Sequence, residues 1–497
     1  MRRRVVAGAV TLTALTACTA TQMAPQPTTS PGASASAGPS APLAPSTPPG
    51  SLDPTGSPGP TVPATPSVTQ PLVFAVHATR TVSDVPTAVA RALVARSARD
   101  ADLSVSWASL DQAGDGRADV RTAAAGKAAE TLLDDVRDDD GLVAIVPASA
   151  VDPTVRVLPV GGRHPLRDPA RYPLETRATE RPGEVTTLSI VGDVMLGRRV
   201  ARASGGDPIR TLRPTAKRLA AAEITVGNLE STLSDDGSPT QGGDSFHADP
   251  DVVDGLQLAG FDLVSLANNH VGDYGQRALR QTLAELRDAD LPYVGAGRDL
   301  DEARKPVVIT RDAVRIGFLG TESIGETPAA TADRGGTNRL NMPPRTGPLN
   351  QRQLDRITGD VEKLADQVDV VVVIPHWGTQ YTHVPEASQR RVARALADAG
   401  ADLVIGGHPH WVQGWETRGD AVIVHSLGNF VFDMDFQTKT MEGIFVEIVL
   451  WGGRVKAVEP VPYTLDSRFV PRVVRGERAQ EILDDVWSTS RGPYARP

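Results

Sequence analysis

The second half of this chain repeats one pattern: a short apolar run, then small or polar residues of the kind that bind cations. Residues 187–191 lead to Gly192-Asp193, residues 224–226 to Gly227-Asn228-Leu229-Glu230, and residues 263–266 to Ala267-Asn268-Asn269-His270. Residues 370–374 lead to Pro375-His376-Trp377-Gly378, and 403–405 to Gly406-Gly407-His408-Pro409-His410. Apolar runs of this length, alternating with amphipathic stretches such as 276–289 and 386–399, predict a buried sheet flanked by helices. In open α/β sheets, ligands collect beyond the carboxyl ends of the strands. A single Asp or His at a strand end is ordinarily a cap or a turn residue. Five strand ends carrying Asp193, Glu230, Asn269, His376 and the His408/His410 pair predict a shared site instead.

The donor types bound the chemistry. The chain has one Cys, which excludes a disulfide framework and a Cys-based zinc site, and seven of its nine His lie within this region. Carboxylate, amide and imidazole donors together suit Mn, Fe or Zn better than Ca, which avoids nitrogen. Two adjacent divalent ions, or one, are the expected cofactor. A pair sharing a carboxylate would polarise a phosphoryl or carbonyl oxygen and activate water near neutral pH.

Six motifs in order carry a resemblance: Gly192-Asp193-Val194-Met195-Leu196-Gly197-Arg198, Gly227-Asn228-Leu229-Glu230, Ala267-Asn268-Asn269-His270-Val271-Gly272-Asp273, His376-Trp377-Gly378, Gly407-His408-Pro409-His410 and Ser426-Leu427-Gly428-Asn429-Phe430. Together, over 185–465, they resemble the poly-γ-glutamate capsule biosynthesis (CapA-like) branch of the calcineurin-like metallophosphoesterases. The resemblance implies an α/β fold, an αββα sandwich with a dinuclear metal site at its edge. It further implies one ion on Asp193, Glu230 and His410, a second on Glu230, Asn269, His376 and His408, and His270 as catalytic general acid. Two positions depart from the wider superfamily. Met195 stands where Asp-x-His supplies a ligand, and Asn228 stands where a bridging Asp is usual, so the bridge is assigned to Glu230, whose charge can neutralise two cations.

Other residues carry two readings each. Asp273, three residues after His270, either orients the imidazole in catalysis or caps the helix that follows. Arg198 meets an anionic substrate or is a surface residue. Asn429, after the apolar run 422–424, closes one side of the site and contacts substrate. Trp377 and Tyr381 line the pocket or pack, and His247, His383 and His425 are expected to be structural.

The first half reads differently. Arg2-Arg3-Arg4, the apolar run 5–16 and Leu15-Thr16-Ala17-Cys18 resemble a bacterial lipobox, implying a signal peptide over 1–17, lipidation of Cys18 and retention at the extracytoplasmic face of the cell membrane. An ordinary secretory signal with a chance Cys, or an uncleaved N-terminal anchor, is the alternative. Cleavage would remove three Arg and shift the net charge from −9 to −12. Residues 18–70 read as a disordered tether: of Thr19 to Gln70, 43 of 52 are Pro, Ser, Thr, Ala or Gly, with one acid and no base. Residues 71–180 show α/β patterning, with strands at 72–76 and 141–147, helices at 85–98 and 128–136, and a second β stretch at 155–162. This small domain resembles part of a periplasmic solute-binding lobe or serves as a spacer or docking domain. Residues 466–497 form a C-terminal extension.

A net charge of −9, with no basic stripe, excludes nucleic acid as a partner. The expected partners are an anionic envelope polymer or a phosphorylated precursor, the membrane through the N-terminal lipid anchor, and capsule-synthesis membrane proteins. Two functions remain open: a metal-dependent hydrolase or transferase of the cell envelope, and a non-catalytic surface factor that guides an anionic polymer through its metals. His270 favours the first and Met195 the second.

Overall fold

The computed structural model describes residues 68–112, 114–178 and 183–497, which fall within one compact unit, Ala64–Pro497. The expected signal peptide, Cys18 and the tether up to residue 67 lie outside the described residues. The tether boundary shifts slightly, because Val68–His77 is one strand whose first residues pair with Glu175–Ala178. Among the described residues no helix is long and apolar enough to cross a membrane.

Two sheets build the main body. The first runs in the order Tyr293–Val294, Leu263–Ser265, Ile224–Leu229, Val185–Val194, Glu442–Trp451, Arg454–Leu465, Pro471–Val473, with Asn429–Val431 added beside the end of Val185–Val194. The second runs Val307–Arg311, Val314–Glu322, Val370–His376, Leu403–Ile405, Ala421–Val424, Trp415–Arg418. The site-bearing strands are parallel within each sheet, so their carboxyl ends gather at one edge.

Alternation along the strands explains the layers. Val370, Val372 and Ile374 point into the core between the sheets, where they join Leu188, Ile190, Val226 and Phe318. Val371 and Val373 point the other way, onto Leu354, Ile357, Val361, Val392 and Leu396 of the helices Gln351–Ala365 and Ala387–Asp398. On the far side Leu212, Leu219, Leu256, Leu279, Leu283 and Leu286 cover the first sheet from Pro208–Leu219, Val252–Leu258 and Gly275–Asp288. The result is helix, sheet, sheet, helix: the αββα arrangement expected of the calcineurin-like metallophosphoesterases.

Neither flanking segment stands apart. The C-terminal residues supply the strand Pro471–Val473 and the helix Gly476–Trp487, which sinks Ile482, Leu483, Val486 and Trp487 into the intersheet core. They are part of the sandwich, not an extension from it. The N-terminal region forms a mostly antiparallel six-stranded sheet whose only parallel pair joins Arg117–Thr122 to Leu142–Pro147 across the helix Lys127–Asp138. One face shares a core with Val449, Trp451 and Ala457 of the main body. The Trp451 indole N–H donates to the Leu166 carbonyl at 2.8 Å, and the Tyr494 hydroxyl to that of Pro153 at 2.9 Å.

Candidate metal centre

Loops can reach this edge only where the backbone is bare. A Cβ on Gly192 would lie 2.0 Å from the Gly428 carbonyl oxygen, and one on Gly407 would lie 2.6 Å from Asp193 Oδ1. His408 and His410 adopt φ of 95° and 58°, a left-handed conformation that costs free energy for any residue with a side chain. Strain of this kind persists where the surrounding structure holds it for a purpose, and here it turns both imidazoles inward.

The sequence-predicted donors come together and are buried. Asp193, Glu230 and His376 each place a ligand atom within 4.8 Å of the others, and so do Glu230, His408 and His410. Glu230 belongs to both groups, as a bridging carboxylate requires. Asp193 meets all three imidazole residues: the Gly407 loop donates its His408 N–H to Asp193 Oδ2 at 3.1 Å, His410 Nδ1 lies 3.6 Å from the same oxygen, and His376 Nδ1 lies 4.0 Å from Oδ1. Asn269 joins through His376, its Oδ1 lying 2.9 Å from Nε2, while its amide N–H donates to Glu326 at 2.6 Å.

Burial sets the electrostatics. It pushes the Asp193 carboxyl up to about 6, and with Asp193 nearby it raises Glu230 well above the ordinary range. It lowers His410 to about 4 and holds His376 and His408 well below their usual value. Both acids resist charging and the three imidazoles resist protonation, and a cation among them would favour the charged carboxylates and the neutral imidazoles. The donors fit a metal on a further observation: Glu230 Oε1, both ring nitrogens of His408 and His410 Nε2 are buried without a hydrogen-bond partner. Buried polar atoms are rarely left unsatisfied, and these four sit in one place.

His270 stands beside the cluster. Its Nδ1 lies 2.7 Å from Asp273 Oδ2, its Nε2 lies 3.9 Å from Glu230 Oε1, and Phe246 stacks on its ring at 3.6 Å. Asp273 also accepts from the Phe246 N–H at 2.6 Å and from Gln241. The helix Gly275–Asp288 has no side-chain cap, so Asp273 orients the imidazole and does not cap. Arg198 reaches the same corner over the Phe246 ring, 4.8 Å away, and its guanidinium pairs with Asp433 at 3.2 Å.

Asn429 needs correction. It is fully buried, its Oδ1 lies 2.8 Å from His410 Nδ1, and its amide donates to the Thr440 carbonyl at 3.0 Å. It fixes the His410 ring and has no free atom for substrate. Trp377 is likewise buried, donating to the His425 carbonyl at 3.0 Å, whereas Tyr381 lies over His410 with ring centroids 6.1 Å apart. Sequence reasoning missed two orienting amides. Asn228 donates to Asp193 at 2.8 Å and to Glu230 at 3.1 Å, and Asn268 donates to Asn228 at 3.0 Å. Their place in the motifs was a readable signal; for Phe246 and Glu326, which come from irregular loops, no pattern pointed to the site.

An αββα sandwich with a buried carboxylate and imidazole cluster at the carboxyl edge of its strands defines the class of protein. The family of the bacterial capsule synthesis protein PGA_cap matches residues 187–434. The chain is 31% identical to the capsule biosynthesis protein CapA of Bacillus anthracis over 63% of this chain and 75% of that one. It is 32% identical to the PGA biosynthesis protein CapA of Bacillus subtilis over 53% of this chain and 67% of that one. It belongs to this capsule synthesis family. Among solved structures, the sulfate thiohydrolase SoxB of Thermus thermophilus overlaps 61% of this chain and 60% of its own, at 15% identity and a TM-score of 0.35.

Proposed function

We propose that this protein is a metal-dependent hydrolase or transferase acting on a poly-γ-glutamate-like envelope polymer, or on a phosphorylated precursor of one, in capsule synthesis. The observation that carries the reading is the set of unpartnered donor atoms on Glu230, His408 and His410 beside the His270–Asp273 pair. The chemistry that bound divalent ions supply is Lewis-acid polarisation of an acyl or phosphoryl oxygen. Asp193, Glu230, Asn269, His376, His408 and His410 would hold them. Asp273 accepts from Nδ1 and fixes the plane of His270, so that Nε2 of the imidazolium faces the centre and can hand its proton to the leaving group. Phe246 covers one face of that ring and excludes water from it.

Membership in a family whose named relatives are capsule and PGA biosynthesis proteins supports the polymer class. The Cys18 signal supports a lipid anchor at the extracytoplasmic face, where capsule-synthesis membrane proteins would be partners. Cys18→Ser should release the protein from the membrane fraction or leave its signal uncleaved; unchanged processing and retention would refute the anchor.

A second reading, a non-catalytic factor that guides the polymer through its metals, is favoured by Met195. That side chain is fully buried, its sulfur accepting from the Gly197 N–H at 3.2 Å, so this strand end adds no second ligand. His270→Asn separates the two readings. In the catalytic reading metal content persists while turnover of phosphoesters or γ-glutamyl polymer falls about 10²- to 10⁴-fold. If metal and turnover both survive, or wild type turns over neither substrate class while retaining metal, the non-catalytic reading stands.

A further inference from the structure

The helix Ala387–Asp398 buries Val392, Ala393 and Leu396, turns Arg391 and Arg394 toward solvent and holds Arg390 buried beside Glu416. Arg390, Arg391 and Arg394 line a shallow groove of about 520 Å³ with Arg491, bordered by Pro385 and Ala387. Two acids belong to this region. Glu416, 2% exposed, accepts from Arg390 at 3.1 Å and from Arg394 at 2.9 Å. Asp398 is taken by Arg418 through two bonds of 2.7 and 3.0 Å. Arg391 makes only a 3.4 Å contact with Gln351, and the Arg491 guanidinium has no acceptor among the described residues. Arg390 and Arg394 thus share one buried carboxylate while Arg391 and Arg491 face the groove without one, in a chain whose net charge is −9. Glu416 holds two of them in position without neutralising the groove.

Resting on the function proposed above, we propose that this groove docks an extended polymer bearing regularly spaced carboxylates. Planar guanidinium forks match carboxylates two bonds at a time, and an open, shallow groove suits a chain better than a small molecule. The groove also begins where the site's border ends. The Glu386 carboxylate, at the start of the helix, accepts from Thr379 at 2.6 Å, and the segment between carries Tyr381 over His410. Ten residues separate His376 from Glu386, so the two lie at most about 35 Å apart, a span that several residues of an extended polymer cover.

The test uses the whole chain and fluorescently labelled poly-γ-glutamate. Arg391→Gln combined with Arg491→Gln, neither of which touches Glu416, should weaken binding about tenfold and flatten its salt dependence. Metal content and denaturation midpoint should not change. His408→Ala should lose metal and keep most polymer affinity. If the arginine variant binds like wild type while His408→Ala loses binding, the polymer is held at the metal centre alone; the groove inference falls and the functional reading stands. If wild type ignores poly-γ-glutamate but binds a phosphate polymer through the same arginines, the carboxylate assignment and the polymer class fall together.

Discussion

Two clusters of buried charge can be set side by side. At the metal centre, Asp193 and Glu230 are both fully buried with no lysine or arginine among the described residues against them, and burial raises both carboxyls. At the seam with the N-terminal region, Glu447 and Glu459 face each other across paired strands. There Arg167 spans them at 2.6 and 2.7 Å, Arg218 adds a contact at 2.6 Å to Glu447, and His164 one at 3.0 Å to Glu459. Burial alone would raise these two carboxyls, but the neighbouring cations outweigh it and hold both below their usual range. Buried acids with their cations supplied by the chain are structural, and buried acids without them are shaped for cations from outside.

The strongest test removes a donor from the unpaired cluster. Glu230→Gln keeps the shape and deletes the charge common to both groups, so bound metal should fall to near zero by elemental analysis. His408→Ala should lower it by about half or more. Metal retained in full by Glu230→Gln would point to Asn228 or to a mononuclear site and erase the contrast, because the buried acid would then need no cation.

Only the metal-centre half of this contrast was legible in the sequence. The apolar runs mark the strands, three of which continue into the polar residues Asp193, Asn228 and His376, since a buried strand needs residues such as Val370–Ile374 on both faces and a site needs polar ones at its end. His270 and Asp273, three residues apart, form the expected pair. What stayed hidden depended on contacts distant in sequence. Asn429 reads as a pocket residue until the strand Asn429–Val431 places it behind His410. The gathering of the donors depends on the Gly407 loop closing on Asp193, across 214 residues of chain. The seam was invisible because Arg167 and Glu459 each look like ordinary surface charges, and burial alone reveals their role. For the same reason residues 71–180 read as a separate domain and 466–497 as an extension.

A second, smaller effect tests the paired cluster. Glu459→Gln leaves His164 and part of Arg167 without their carboxylate in a site only 13% exposed. Breaking such a pair should cost about 2 to 3 kcal/mol of stability, since Arg167 retains Glu447. Urea denaturation should show the loss, and metal content should be unchanged. The seam carboxyls are depressed in the folded chain, so their contribution is present above the ordinary carboxylate range and is lost as pH falls through the lowered values. Metal lost from Glu459→Gln would mean that the two clusters act as one unit.

The smallest effect comes from a cation at the same seam that has no carboxylate against it. Lys456 is 8% exposed, and its ammonium donates to the carbonyls of Ser149, at 3.1 Å, and Val151. Burial lowers its pKa to about 8, only partly offset by the charge of Asp152. In the unfolded chain the amine titrates near 10.4. Between those values the unfolded state binds more protons, so stability rises with pH. The cost of burying the charge is therefore complete below about pH 7 and is relieved as pH climbs through 8. From pH 8 to 9.5, wild type should gain about 1.5 kcal/mol relative to Lys456→Met, measured as the difference in slope of denaturation free energy against pH. The offset between the two curves also contains the lost carbonyl hydrogen bonds, so only the slope reports the titration. Equal slopes would mean that water reaches Lys456 in the folded chain and that the seam is open there. A steeper wild-type slope would place this lysine between the two clusters: a buried charge of the chain's own, satisfied by backbone carbonyls in place of a counter-ion.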